Sequence, residues 1–261
     1  MSVLKADQLT IGYEDKRIVE QLDVEFPSKQ ITAIVGPNGC GKSTLLKTLA
    51  RLHKPESGRT YLDGKAIDQM PTKEVARHMA ILPQGPDAPN GLSVYDLISY
   101  GRTPYQSGFS RLSAHDRDMI DWALDVTGLT GLKDRAVDAL SGGQRQRAWI
   151  AMSIAQETEL LLLDEPTTYL DLAHQLEVLK LLERLNREEG RTVIMVIHDL
   201  NQAARFASHL VAMKEGKVVR EGSAEEVITE DVLKEVFRID TSVISDPRTG
   251  KPAVVSYDLL S

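Results

Sequence analysis

The segment Gly36-Pro-Asn-Gly-Cys-Gly-Lys42-Ser43 matches the spacing G-x-x-x-x-G-K-[ST] in full. Its glycines let the backbone curl, so that successive N–H groups converge on phosphate oxygens. The helix start that follows adds unpaired N–H groups and a positive dipole end. We expect Lys42 to reach the β- and γ-phosphates of a nucleotide, and the Ser43 hydroxyl to bind Mg²⁺. Thr44 either touches a phosphate or is simply the second residue of the helix. The predicted phosphate loop consists of Gly36, Pro37, Asn38, Gly39, Cys40, Gly41, Lys42, Ser43 and Thr44.

Cys40 lies inside this loop and is the chain's single cysteine. The favoured interpretation is a small residue that fits the loop, and the alternative is a thiol whose alkylation blocks nucleotide binding. A bulky thiol reagent is expected to inactivate the protein, and ATP to protect it. One cysteine also excludes an internal disulfide framework and fits a reducing compartment.

Two carboxylates, Asp164 and Glu165, follow the apolar run Leu160–Leu163. A central strand of a parallel sheet delivers its C-terminal residues to the ligand crevice. Asp164 there suits Mg²⁺, directly or through water, and Glu165 suits a general base for the attacking water. A DE pair at a strand end is common alone, but this one follows a complete phosphate loop and precedes PTTYLD.

A second glycine motif, Leu140-Ser-Gly-Gly-Gln144, precedes a predicted helix. Ser141 suits the N-cap position, and the N–H groups of Gly142 and Gly143 carry no obstructing side chain. Alone, the string could be only a helix-entry turn. Beside a phosphate loop it predicts a second anion-binding helix start, formed by Ser141, Gly142, Gly143 and Gln144.

Three further side chains stand at predicted strand ends. His198 ends TVIMVIHD and can contact a γ-phosphate, although a lone histidine is usually structural. Gln84 ends MAILPQ, just before the Pro- and Gly-rich hinge GPDAPNG, and can touch Mg²⁺ or water. Tyr13 either stacks on an adenine or fills the core. Arg145 and Arg147 are interpreted most simply as a solvated helix face.

The elements that must position these residues follow from the apolar pattern. Strands are predicted over 3–13, 17–26 and 30–35, with the turn EDK between the first two. A helix is predicted from Ser43 to Arg51, and a hairpin, a short helix and a strand over 58–83. Residues 87–140 read as a helical insertion, in which Ser113 caps a helix and Asp116 comes close to completing a capping box.

The second half of the chain alternates helices with apolar strands. Helices are predicted over 143–156 and 173–188, and strands over 160–164 and TVIMVIHD. A hairpin turning at Glu215–Gly216, two short helices and a last hairpin around DPRTGKP follow. This alternation indicates an α/β fold with a parallel sheet covered on both faces.

Composition narrows the class of protein. The chain has 261 residues, 42% hydrophobic and 26% charged, enough for one large core or a core plus a subdomain. A net charge of −7 gives no electrostatic drive toward nucleic acid. The chain starts without an apolar signal-peptide core, and no apolar run approaches the roughly 20 residues of a membrane span. We therefore expect a soluble, cytoplasmic protein whose membrane role, if any, comes through a partner.

Together the motifs resemble the ATPase subunit of ABC transporters, over essentially the whole chain. The resemblance implies a P-loop (RecA-like) parallel-sheet core with an N-terminal antiparallel β subdomain and a helical subdomain insertion. It implies a single ABC ATPase domain over 1–261. Residues 1–86 and 141–261 would form the nucleotide-binding core with its β subdomain, and 87–140 the helical subdomain.

The resemblance also implies a role for each motif, with ATP and Mg²⁺ as cofactors. The D-loop, Thr168–Asp171, reads TYLD, a variant of a loose motif, so only Leu170 and Asp171 carry over. The implied catalytic residues are Glu165, His198, Lys42 and Gln84, and the implied metal-binding residues are Ser43, Gln84 and Asp164. The implied nucleotide-binding groups are Tyr13 on the adenine, Gly36–Thr44 as Walker A, Leu140–Gln144 as the signature, and Asp171; Leu160–Asp164 is Walker B.

In this family two subunits sandwich two ATP molecules, each held by Walker A of one subunit and the signature of the other. The implied partners are a second copy of the chain (a homodimer), membrane permease subunits and, indirectly, a substrate-binding protein, at the cytoplasmic face of a bacterial membrane. GPNGCGKSTLLKTLARL, LSGGQRQRAWIAMSIAQ, EPTTYLDLAHQLEVLKLL and DPRTGKPAVV look closest to importers of iron–siderophore complexes. Haem and cobalamin importers are the nearest alternative. A soluble ABC ATPase of DNA repair or ribosomes is the other class, but those usually carry a long coiled coil or two cassettes.

Overall fold

The structure, a computed structural model, describes residues 2–13, 16–86, 88–106 and 111–260. Glu14 and Asp15 of the predicted first turn lie outside the described residues. So do Asp87 of the predicted hinge and residues 107–110 of the predicted helical insertion. Within the described ranges, no helix has both the length and the apolar character that crossing a membrane requires.

The strands and helices of the described chain alternate most regularly between Leu160 and Lys214. The strands are β1 (Ser2–Tyr13), β2 (Lys16–Pro27), β3 (Ile31–Val35), β4 (Ser57–Leu62), β5 (Lys65–Ala66), β6 (Met79–Leu82), β7 (Leu160–Asp164), β8 (Thr192–Val196), β9 (His209–Lys214), β10 (Lys217–Gly222), β11 (Ile239–Ser245) and β12 (Pro252–Leu259). The helices are α1 (Lys42–Leu49), α2 (Thr72–His78), α3 (Val94–Ser99), α4 (Ala114–Val126), α5 (Gly142–Ala155), α6 (Leu172–Glu189), α7 (Leu200–Phe206), α8 (Ala224–Val227) and α9 (Glu230–Phe237).

The chain divides into two compact units. The first consists of Met1–Met70 and Thr192–Ser261, and the second of Pro71–Arg191. The first unit holds an antiparallel sheet in the order β2-β1-β4-β5, which confirms the predicted N-terminal antiparallel β subdomain. It also holds the strand order β10-β9-β3-β8, in which β3 runs parallel to both of its neighbours. The boundaries predicted for the helical subdomain stay a prediction.

Burial explains the two kinds of sheet. On β2 the buried residues alternate with exposed ones, as expected for a sheet that covers the core with one face. Every residue of β3 and of β8 is buried, because a parallel strand is covered on both faces. A β-hairpin of β11 and β12 completes the first unit.

The second unit contains the parallel pair β6 and β7, paired from Met79 with Leu160 to Leu82 with Leu163. Helices α3 and α4 pack against α5. Ser113 caps α4 as the sequence predicts, and with Asp116 it forms a full capping box, where the sequence indicated only an arrangement close to one. Arg102, which the sequence analysis did not single out, is fully buried and donates to Asp116 Oδ1 (2.8 Å) and to the Ala155 carbonyl (2.7 Å).

Most predicted boundaries differ from the structure by a residue, and three elements differ more clearly. Helix α1 ends at Leu49 rather than Arg51, because Arg51 adopts a left-handed conformation with φ of 61°. Strand β8 ends at Val196, so His198 lies beyond the strand in a bend. Helix α7 was not predicted, although Asp199 supplies its N-cap by accepting from the Gln202 N–H at 2.8 Å.

Candidate functional site

The phosphate loop connects β3 to α1 in the first unit, as predicted. Gly36, Gly39 and Gly41 have φ of 152°, 76° and 104°, conformations that glycine adopts without steric cost. The Lys42 ammonium is buried and donates to the carbonyls of Gly36 (2.8 Å) and Pro37 (3.0 Å). It therefore lies inside the curl of the loop, where an anion would meet it. Helix α1 begins at Lys42, and its N-cap Gly41 has no side chain to occupy the first N–H groups of the helix.

Main-chain atoms enclose the loop on its other side. A Cβ at Gly36 would lie 2.2 Å from the Met213 carbonyl oxygen and 2.9 Å from the Cys40 sulfur. The Cys40 carbonyl accepts from the Gly216 N–H at 3.0 Å. A Cβ at Gly39, in contrast, would meet no atom within 4 Å. The loop is thus held tightly at its ends and open at its tip.

Cys40 is buried, and burial raises the pKa of its thiol even though the Lys42 ammonium acts in the opposite direction. A neutral, buried thiol is a small packing residue, which supports the favoured interpretation of Cys40. Its position between the glycines still makes the loop sensitive to any bulky group attached there.

Tyr13 and His198 also belong to the first unit. The Tyr13 ring is half exposed and stacks at a tilt of 41° on His53, with the ring centroids 4.4 Å apart. His53 in turn contacts the Gly12 carbonyl at 3.0 Å, which holds the ring pair at the end of β1. An exposed aromatic face suits stacking on a base better than filling a core.

His198 reaches the same edge of the sheet as the phosphate loop. Strand β3 pairs with β8 so that Ile34 lies opposite Val196. Gly36 and His198 are each two residues beyond this pair. Because the carboxyl ends of parallel strands face one crevice, the exposed imidazole and the loop open toward the same side.

Gln84 and Glu165 come together in the second unit. Each lies two residues beyond the last pair of β6 and β7, Leu82 with Leu163. Gln84 Nε2 donates to Glu165 Oε2 at 2.7 Å. The Thr168 hydroxyl donates to the same oxygen at 2.9 Å. Two donors on one oxygen fix the orientation of the carboxylate.

The backbone at Glu165 is also unusual. Glu165 has φ of 53°, a left-handed conformation that costs a residue with a side chain about 1–2 kcal/mol. Such conformations cluster at functional sites, where the surrounding structure holds them. Asp164, immediately before it at the end of β7, is almost completely buried. The two neighbouring carboxylates therefore lie in different surroundings: that of Asp164 is buried, and that of Glu165 accepts hydrogen bonds from Gln84 and Thr168.

The second glycine motif opens helix α5, as predicted. Ser141 Oγ accepts from the Gln144 N–H (3.3 Å), and Gln144 Oε1 accepts from the Ser141 N–H (3.1 Å), a complete capping box. Gly142 is exposed and Gly143 is buried. The motif thus presents one bare backbone unit to solvent at the positive end of a 14-residue helix.

Asp171 lies at the start of α6 and caps it by accepting from the His174 N–H at 2.9 Å. This backbone hydrogen bond, together with the His174 imidazole, holds the pKa of the Asp171 carboxyl below its usual value. Leu170, one residue earlier, lies near Gly142. The predicted D-loop and the predicted signature are therefore neighbours within the second unit.

Sequence reasoning missed or misjudged three residues here. Thr168 did not carry over from the motif, yet it contacts Glu165; a hydroxyl three residues after the glutamate in a tight turn was the available signal. Arg147 was interpreted as solvated, but it forms an ion pair with Glu177 on α6. His174 carried no recognisable signal beyond its place three residues after the N-cap.

The residues of each unit, taken separately, have chemistry that suits a nucleotide with Mg²⁺. The phosphate loop offers a buried ammonium and glycine N–H groups, the donor set that phosphate oxygens require. The second unit offers a buried carboxylate and an oriented one. Among the described residues no group of three or more His, Cys, Asp or Glu side chains could hold a metal alone. Mg²⁺ in nucleotide sites usually keeps several waters and uses one or two carboxylates plus substrate phosphates.

Comparison with known proteins gives consistent matches. The sequence profile described as ABC transporter matches residues 19–168. The iron(3+)-hydroxamate import ATP-binding protein FhuC of Bacillus subtilis (strain 168) is 59% identical over 260 residues, 100% of this chain and 97% of that protein. An inward-facing structure of a metal-chelate type ABC transporter aligns with a TM-score of 0.84 and 31% identity, over 97% of this chain and 96% of its own. The dimeric structure of a bacterial ABC transporter cassette aligns with a TM-score of 0.75 and 27% identity, over 84% of this chain and 98% of its own.

Proposed function

This chain belongs to the ABC transporter family, and from that premise we propose that it is the ATP-hydrolysing subunit of an importer that takes up an iron–siderophore complex through a membrane permease. The observation that carries the ATPase part is the presence, in one chain, of two helix starts suited to phosphate. One is the phosphate loop at α1 and the other is Ser141–Gln144 at α5. One nucleotide needs only the first, so the second serves a nucleotide on another copy.

Two copies of the chain would accordingly pair as a homodimer. Support comes from the 0.75 TM-score to a cassette whose structure is dimeric. The exposed Gly142 at the positive end of α5 would donate to the phosphates bound by the partner's loop, with Ser141 holding the helix start and Gln144 closing the capping box.

The residues of one copy then divide the work. Lys42, Ser43 and the loop N–H groups would bind the phosphates, Thr44 would add a hydroxyl, and Tyr13 would stack on the base. Mg²⁺-ATP would supply the phosphoanhydride bond and the charge neutralisation that its cleavage needs. Ser43, Gln84 and Asp164 would hold the metal. Glu165 would accept the proton of the attacking water at its carboxylate. His198 would donate to a γ-phosphate oxygen from the same sheet edge.

The contact of Gln84 with Glu165 supports a further task for Gln84. Gln84 immediately precedes the predicted hinge, so a movement of that segment would change the hydrogen bond to Glu165 Oε2. A permease that presses on this segment would thereby adjust the carboxylate that activates water. The subunit would act at the cytoplasmic face of a bacterial membrane, with a substrate-binding protein delivering cargo to the permease.

Substitution of Glu165 by Gln tests the ATPase part. Glu165→Gln keeps the shape of the side chain and its neighbours Gln84 and Thr168, but it removes the general base. The rate of hydrolysis should therefore fall by about a hundredfold or more. The variant should still bind ATP and accumulate as an ATP-bound pair, measured by light scattering. Lys42→Ala is the matched control and should lose ATP binding and pairing together. If Glu165→Gln hydrolyses ATP at the wild-type rate, Glu165 is not the general base.

Uptake by a deletion strain tests the cargo. Of the proteins compared, the relative at 59% identity is named for iron(3+)-hydroxamate import, and one of the aligned structures is of metal-chelate type. We expect loss of uptake of a radiolabelled ferric hydroxamate, restored by the wild-type chain and not by Glu165→Gln. Parallel cultures receive a ferric catecholate, haem and cobalamin. Loss confined to haem or cobalamin would reassign the cargo to that compound, and no loss of any uptake would favour a non-transport ATPase.

A further inference from the structure

The ring of His174, on α6, lies directly against Gly143 in the first turn of α5. A Cβ at Gly143 would be 2.5 Å from His174 Cδ2, 2.8 Å from Cγ and 3.2 Å from Cβ. Rotation of the side chain could move Cγ and Cδ2 aside, but His174 Cβ would remain 3.2 Å away, a tight contact. With the imidazole where it stands, the two helices approach at this point more closely than a Cβ at position 143 allows.

His174 is held in place by Asp171, the N-cap of α6. Its backbone N–H donates to Asp171 Oδ1 at 2.9 Å, and its Nδ1 lies 2.8 Å from the same oxygen. Because the pKa of the Asp171 carboxyl is lowered, that group is an acceptor at neutral pH, and Nδ1 must carry the donated hydrogen. The N-cap of α6 thus fixes the orientation of the ring that Gly143 meets.

A second contact repeats this arrangement one turn further along both helices. Arg147, four residues after Gly143, forms an ion pair with Glu177, three residues after His174. Residues three and four apart lie on one face of a helix. Two contacts on the same pair of faces would limit the rotation of α5 about its axis, and with it the direction in which Gly142 points.

We propose that His174 is a positioning residue for the glycine pair Gly142–Gly143, and that it sets where the first turn of α5 presents its N–H groups to the nucleotide bound by a second copy of the chain. This rests on the proposed function, because the glycine pair has no nucleotide to meet unless two copies pair on ATP. A ring at position 174 supports the first turn of α5. A smaller side chain leaves that turn free to tilt away.

The experiment measures homodimer formation as a function of ATP concentration. It uses the Glu165→Gln variant, in which ATP hydrolysis does not dissociate the dimer. His174→Ala removes the ring. His174→Phe keeps a planar ring of similar size and the backbone hydrogen bond to Asp171 but loses the Nδ1 contact, so it separates the bulk of the ring from its side-chain hydrogen bond. Light scattering reports pairing, a fluorescent ATP analogue at low protein concentration reports binding to the single subunit, and thermal unfolding reports folding.

His174→Ala should raise the ATP concentration for half-maximal pairing about tenfold, the equivalent of about 1.4 kcal/mol. His174→Phe should stay within about threefold of the parent. Nucleotide binding to the single subunit should not change in either variant, since the phosphate loop is untouched. The inference is overturned if Ala pairs at the parent's ATP concentration, or if Phe is as defective as Ala. If the Glu165→Gln parent itself fails to pair on ATP, the proposed function falls and takes the inference with it.

Discussion

Replacing Gly36 by Ala tests how tightly the phosphate loop is enclosed. The new methyl group would lie 2.2 Å from the Met213 carbonyl oxygen, more than an ångström inside ordinary contact, and 2.9 Å from the Cys40 sulfur. The oxygen belongs to the backbone of a buried strand and cannot swing aside. Either the loop or β9 must shift, and a shift of the loop displaces the N–H groups that meet phosphate.

The expected cost has two parts. Forcing a methyl into packed surroundings costs about 1–3 kcal/mol. The backbone conformation, with φ of 152°, adds strain of about 1–3 kcal/mol for a residue with a Cβ. Gly39→Ala separates the two parts, because it carries strain at φ of 76° but its Cβ meets no atom within 4 Å. We expect Gly39→Ala to cost about 1–2 kcal/mol and Gly36→Ala to cost more by about 1–3 kcal/mol.

Urea unfolding of both variants and the parent measures these differences from the midpoint at constant m-value. A fluorescent ATP analogue then measures whether affinity falls further in Gly36→Ala than its stability requires. If Gly36→Ala costs no more than Gly39→Ala, the Met213 carbonyl does not restrict the loop in solution, and the steric reasoning is wrong.

Two further predictions concern titratable groups, in addition to the tests of Glu165 and His174. Burial tends to raise the pKa of the Asp116 carboxyl, but hydrogen bonds from Ser113 and Arg102 outweigh it and lower the pKa to about 2. Its stabilisation is therefore complete above the unfolded pKa of about 4 and is lost as pH falls toward 2, so Asp116→Asn should flatten the fall of the urea midpoint across that window; an unchanged slope would contradict the assignment. Cys40 should react slowly with a bulky maleimide at pH 7 and faster at alkaline pH, because burial raises the pKa of its thiol. Mass spectrometry should show that labelling parallels loss of ATP binding and that ATP prevents it, whereas full activity after complete labelling would refute the placement.

The phosphate loop was predictable because its chemistry is local. The glycines, Lys42 and the following helix are consecutive, so the sequence alone places the loop between β3 and α1. The same holds for the capping boxes at Ser113 and Ser141, each of which needs only residues three apart. On β2 the alternation of apolar and polar residues likewise identifies the face that points inward.

Contacts between distant segments were not predictable. Gln84 and Glu165 are 81 residues apart, and only the parallel register of β6 with β7 brings them level. Arg147 shows the same limit: its helix was predicted, but a single sequence does not say that Glu177 of α6 faces it. Arg102 breaks the expectation that arginine stays exposed, because a carboxylate and a carbonyl satisfy it inside the second unit.

The backbone contacts around the phosphate loop carry an evolutionary consequence. Gly36 faces the carbonyl of Met213, and Gly216, whose N–H donates to Cys40, faces the carbonyl of Ile18, 2.1 Å from where its own Cβ would stand. Every amino acid brings the same carbonyl, so positions 18 and 213 can exchange side chains as long as the core still fills. Positions 36 and 216 have no such latitude. We therefore expect substitutions to be tolerated at positions 18 and 213, which contribute only their carbonyls to these contacts, and not at Gly36 and Gly216.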